Sequence, residues 1–176
     1  MDKDRIVGSA KQIKGTVKQV VGKDHDLRTA RIEASTLLGN PLFQSAILTD
    51  RRDQRSHYFC ECATRFAGCD LVFFDPDTGL EKKSTRPGRK DSCKYLFWRE
   101  ACDAFASGSS VLIYQHIPHM DRAAYTVERA KDMQGWICEA TVFSYRTPIV
   151  LFLLASQPRH APGFRRRLEA IRSTWG

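Results

Sequence analysis

The sequence predicts an α/β fold: a mostly parallel sheet with flanking helices, a C-terminal antiparallel strand pair, and an N-terminal amphipathic helix. Three observations predict it. Short continuous apolar runs, "DLVFF" and "SVLIYQH", read as strands buried on both faces. Amphipathic stretches of about 15 residues separate such runs, the alternation expected of βαβ units. Finally, "WICEATVFSY" and "PIVLFLLA" are joined only by "RTP", a spacing that suits a hairpin.

The elements follow in order. In "MDKDRIVGSAKQIKGTVKQVVGK", Ile6, Ala10, Ile13, Val17 and Val20 recur at helical spacing, and lysines occupy the polar side. Gly8, Gly15 and Gly22 oppose this, each costing about 1 kcal/mol against Ala in a helix. The segment reads as a helix that needs a partner. "LRTARIEASTLL" is a second helix closed by "GNP", and "SAILTD" a short strand. "RRDQRSHYFCECATRFAG" is a helix ending at Gly68, with Tyr58, Phe59, Cys62 and Phe66 on its buried side. After "DLVFF" comes a basic, turn-rich linker over 82–92, then a helix over "CKYLFWREACDAFASG". "SVLIYQH" follows, then a helix running to Gly135, the hairpin, and a closing helix begun by Pro162.

Composition narrows the classes. The chain has 176 residues, 42% of them hydrophobic and 27% charged. This suits one domain over 26–176 with a helical appendage over 1–25. The longest apolar run, Ile149 to Ala155, is far short of the roughly 18–20 residues of a membrane span. The N-terminus has no apolar signal region, so a cytoplasmic location is expected. The net charge of +8 sits at the two ends, and the middle sums to zero. Basic termini are either solvated helical faces or a surface for nucleic acid or another anionic partner. The six cysteines have no chelating spacing and are expected as free thiols.

The chemistry concentrates at "LVFFDPDTGLE". If "DLVFF" and "SVLIYQH" are neighbouring parallel strands, their C-terminal ends share one edge, where open α/β sheets bind ligands. One end delivers Asp75, Asp77 and Gly79; the other delivers Tyr114, Gln115 and His116. Asp75, Asp77 and His116 are the catalytic candidates, since carboxylates and an imidazole can bind a cation or move a proton. Gly79, Lys94 and Gln115 are substrate-binding candidates. The bland alternative is an ordinary capping turn, for which D-x-D-x-G is a common composition. Ser92, Cys93 and Lys94 open a helix whose N–H groups can meet an anion. An EF-hand loop is excluded, because its fifth and twelfth positions are Gly79 and Arg86. No metal and no cofactor can be named from these residues.

Two resemblances add to this reading. The run "MDKDRIVGSAKQIKGTVKQVVGK" resembles the CsbD-like family of small bacterial stress-response proteins, over residues 1–23 only. It implies a non-enzymatic stress-response role acting by association. The body, through "DLVFFDPDTGLE", "CKYLFWREA" and "VLIYQH", resembles uncharacterised bacterial and phage proteins that pair a DPDNGLE-type loop with a later YQH strand end. More distantly, strand, "DPDTG" loop, helix, strand, helix and hairpin are similar to the second half of a class I methyltransferase. In the N6-adenine enzymes of that class, a D/N-P-P-aromatic loop faces the target amine. Asp75 and Pro76 match its first half; Asp77 and Thr78 depart from the second. The glycine-rich loop for S-adenosylmethionine is not recognisable, as in a domain truncated at its front. A metal-dependent nuclease or hydrolase is a further alternative.

Overall fold

A computed structural model describes residues 42–175. The amphipathic segment over 1–25 and the helix over "LRTARIEASTLL" lie outside the described residues. Four helices and six strands follow in the order α1 (Arg52–Arg65), β1 (Leu71–Phe74), β2 (Gly79–Leu80), β3 (Tyr95–Leu96), α2 (Trp98–Ala106), β4 (Ser110–His116), α3 (Arg122–Trp136), β5 (Thr141–Arg146), β6 (Val150–Ser156) and α4 (Ala161–Trp175). The fold is α/β. Among the described helices none is long and apolar enough to cross a membrane.

The main sheet has the order β1-β4-β6-β5. β1 and β4 are parallel, with Val72 beside Val111 and Phe74 beside Ile113. β6 runs antiparallel to both β4 and β5, so the C-terminal strand pair is antiparallel as expected. The apolar runs form strands because one face is buried under helices and the other is half-buried among its own side chains. Val72, Phe74, Val111, Ile113, Leu151 and Leu153 form one buried face, packed with Tyr58 and Cys62 of α1, Phe66 just after it, Ala101 and Phe105 of α2, and Met133 of α3. Side chains alternate along a strand, so Phe73, Leu112, Tyr114, His116 and Phe152 lie on the opposite face. There Phe152 gathers the rings of Phe73, Tyr114 and Tyr145, with centroids 5.9–6.5 Å away.

Two expectations are corrected. "SAILTD" is not a strand: Ile47 is 63% exposed, and the segment is irregular. Its job is to deliver Asp50, whose carboxylate accepts from the N–H groups of Asp91 (2.9 Å) and Cys93 (2.8 Å) and from the Ser92 hydroxyl (3.1 Å). The helix read from Cys93 begins only at Trp98. Ser92–Lys94 is a 3₁₀ turn, and Tyr95–Leu96 pairs in parallel with Gly79–Leu80 as a separate two-stranded sheet. Glu81 Oε1 then accepts from Trp98 N at 2.8 Å and so marks the start of α2. On α1, Arg55 is buried at 4% exposure. It forms a two-pronged pair with Glu100, one prong at 2.7 Å, and donates to the carbonyls of Ser92 and Tyr95. Its guanidinium also lies 4.5 Å from the Phe97 ring centroid.

Candidate functional site

The two strand ends that the sequence paired do lie side by side. β1 and β4 are parallel neighbours, so "DPDTGLE" and "YQH" leave the sheet at one edge. Gln115 is what joins them. It is 5% exposed, and its Oε1 accepts from Leu80 N at 2.8 Å. Its Nε2 donates to His116 O at 2.9 Å and, more weakly, to Thr78 O at 3.5 Å. An amide is suited to this position because it offers a donor and an acceptor to a loop backbone that has both.

Gly79 completes the latch. Its φ of +116° is open only to glycine without strain, and a Cβ there would stand 2.6 Å from Gln115 Cδ. The loop is further tied by Thr78 N donating to Lys94 O (3.0 Å) and Glu81 N donating to Leu96 O (2.9 Å). A rigid, latched loop therefore stands at the end of the parallel pair.

The six candidate residues fall into different situations. Asp75 is half-buried and follows β1 directly. Continuing the strand register by one residue sets it beside Tyr114, on the face of Tyr114 and His116. Asp77 and His116 are exposed. Gln115 and Gly79 are engaged with each other and with the loop backbone. The Lys94 ammonium is 3.0 Å from Asp91 Oδ1, a pairing that raises its pKa, with Asp77 contributing at longer range. Among the described residues, no three His, Cys, Asp or Glu side chains form a cluster able to hold a metal ion.

Tyr114, named with Gln115 and His116 at this strand end, is half-buried on the face of His116. The role of Asp50 was not read from the sequence. The N–H groups of Ser92, Cys93 and Lys94, expected to meet an external anion, are taken by Arg89 O, Asp50 Oδ1 and Asp91 O in turn. Burial acts to raise the Asp50 carboxyl, but the hydrogen bonds from Cys93, Asp91 and Ser92 outweigh it and hold the pKa below the usual value.

A cavity of about 750 Å³ lies on the other side of β1, between α1 and α2. Phe59, Phe66, Val72, Phe74, Phe97 and Trp136 line it, together with Arg55 and Glu100, and Asp75, Asp77 and His116 do not. Burial raises the Glu100 carboxyl while Arg55 opposes the shift. The buried charges of this cavity satisfy each other, so its wall is chiefly apolar. The edge at the ends of β1 and β4, by contrast, carries Asp75, Asp77, Tyr114 and His116, the candidate residues of the sequence.

No protein-family model matches the chain, so the CsbD-like resemblance over residues 1–23 has no support from that side. No curated protein matches it. Among solved structures, the chain is similar to the protein-(glutamine-N5) methyltransferase (release factor-specific) of Alicyclobacillus acidocaldarius. The identity is 10%, the match covers 88% of this chain and 89% of that one, and the TM-score is 0.49.

Proposed function

We propose that this chain is a methyltransferase-like α/β protein whose DPDTG edge receives an amine-bearing planar group, with Asp75 accepting a hydrogen bond from the amine. Support for this reading comes from the register of β1 on β4: Phe74 pairs with Ile113, so the next residues, Asp75 and the half-buried Tyr114, follow the paired strands on one face. A carboxylate next to an aromatic face suits a nucleobase that stacks while its exocyclic amine donates. Asp75 has a partner within the protein as well, and a carboxylate with about four acceptor sites has capacity for both. His116, exposed on the same face, offers ring nitrogens that can donate or accept a hydrogen bond.

The described residues do not fit S-adenosylmethionine. Neither loop that leads from β1 or β4 toward the following helix is glycine-rich: the first carries only Gly79 and Gly88, the second no glycine. No methyl-transfer step is assigned to these residues, and the reading is one of substrate recognition. The metal-dependent nuclease alternative finds no ready cluster among the described residues.

Calorimetric titration with adenosine and with purine riboside, which lacks the exocyclic amine, tests the reading. Adenosine should bind about tenfold or more tightly, since an acceptor built for a donor rejects the analogue lacking it. Asp75→Asn should reduce that ratio strongly. Equal affinity for the two nucleosides, or an unchanged ratio in Asp75→Asn, would rule the reading out.

A further inference from the structure

The segment between β2 and β3 carries Lys82, Lys83, Arg86, Arg89 and Lys90, with no acidic residue among 82–90. All five are exposed. Among the described residues none of them forms an ion pair, although Asp91, Asp53 and Asp103 nearby each hold another cation. The neutral charge of the chain's middle, taken as a sum, conceals this concentration.

The loop is also held in shape, which separates it from an ordinary solvated run. Arg52 Nε donates to Pro87 O at 2.9 Å. Thr85 N donates to Lys82 O, Arg89 N to Arg86 O, and Ser92 N to Arg89 O. Arg86 donates to the Lys83 and Thr85 carbonyls. Asp50 grips the far end and Glu81 the near one. Gly88, at φ +82°, packs where a Cβ would stand 2.8 Å from Arg52 Cγ. Five unpaired cations are thus presented on a preformed frame, which spares a ligand part of the ordering cost.

We infer that loop 82–90 is a docking surface for the phosphate backbone of a nucleic acid. The loop has no large apolar side chain to insert into a bilayer, so a membrane surface is the weaker match. Its cations are interspersed with Ser84, Thr85 and Gly88, which allow close backbone approach. The loop leaves and rejoins the fold at the edge that carries Asp75. The inference goes beyond the reading at Asp75 and does not depend on it. The variants below leave Asp75 in place, so each idea can fail alone.

The test is fluorescence anisotropy of the full chain with a labelled 20-nucleotide DNA, single-stranded and duplex, across a salt series. Lys83→Gln/Arg89→Gln/Lys90→Gln removes three side chains that make no hydrogen bond or ion pair among the described residues. Lys131→Gln/Arg165→Gln/Arg166→Gln removes the same charge from exposed positions on α3 and α4. Each phosphate contact contributes about −0.9 to the slope of log K against log salt for duplex DNA. The loop variant should lose about tenfold or more in affinity and flatten the slope by about 2–3, with the control changed less than about threefold. Equal losses in both variants would reduce the effect to net charge and overturn the inference. So would a wild type that ignores DNA at low salt yet binds phosphatidylserine vesicles.

Discussion

The latch between Gln115 and Gly79 makes a quantitative prediction. Gln115→Ala removes bonds of 2.8 and 2.9 Å and leaves the buried Leu80 N–H without its acceptor. Stranding a buried donor costs about 1–3 kcal/mol and the second bond about 1 more, so the variant should lose about 2–4 kcal/mol. Gly79→Ala carries two costs. Backbone strain at φ +116° is of order 1–3 kcal/mol. Overlap of the new Cβ with the Gln115 side chain adds about 1–3 kcal/mol. In the Gln115→Ala background the overlap vanishes while the strain remains. The double variant should therefore be more stable than the sum of the singles by about 1–3 kcal/mol. Urea unfolding of the four proteins measures this, provided the slopes agree. Additivity within about 0.5 kcal/mol would refute the latch, because residues that do not touch behave that way.

Further outcomes follow from the same geometry. Arg55→Ala should cost about 3–5 kcal/mol by urea unfolding, since it leaves Glu100 buried without its partner. Asp50 has a folded pKa below its unperturbed value of 3.8, so its stabilisation is present above that value and lost as pH falls through the folded pKa. The melting-temperature gap between wild type and Asp50→Asn should accordingly be full at pH 6 and shrink as pH drops below 3.8. Under a thiol reagent the exposed Cys60 and Cys138 should react first. Cys62, buried and with its thiol pushed up to about 12, should react only on unfolding; rapid labelling of Cys62 would contradict the packing of α1.

The parts of the fold legible in the sequence are those governed by burial on a simple period. "DLVFF" and "SVLIYQH" read as strands because nearly every side chain in them is apolar, and they end where carboxylate and imidazole begin. The buried side of α1 was legible through Tyr58, Cys62 and Phe66 for the same reason. The illegible parts lie where a polar group acts at long range. Arg55 looks like one more helix cation until Glu100, 45 residues later, takes it into the core. Asp50 looks like the end of a strand until the turn at Ser92 needs a carboxylate. The pairing of Gly79–Leu80 with Tyr95–Leu96 is two residues long, below what periodicity can register. At the candidate site, the shared edge could be foreseen from topology. That Gln115 and Gly79 hold each other could not, because no local pattern encodes a loop backbone reaching for an amide.

The most direct test of the central claim is a ¹H–¹⁵N correlation spectrum of the labelled chain titrated with adenosine. The shifts should concentrate at residues 75–80 and at Tyr114 and His116, and they should disappear in Asp75→Asn. Shifts centred instead on Phe59, Phe97 and Trp136 would move the site to the cavity on the other side of β1 and contradict it.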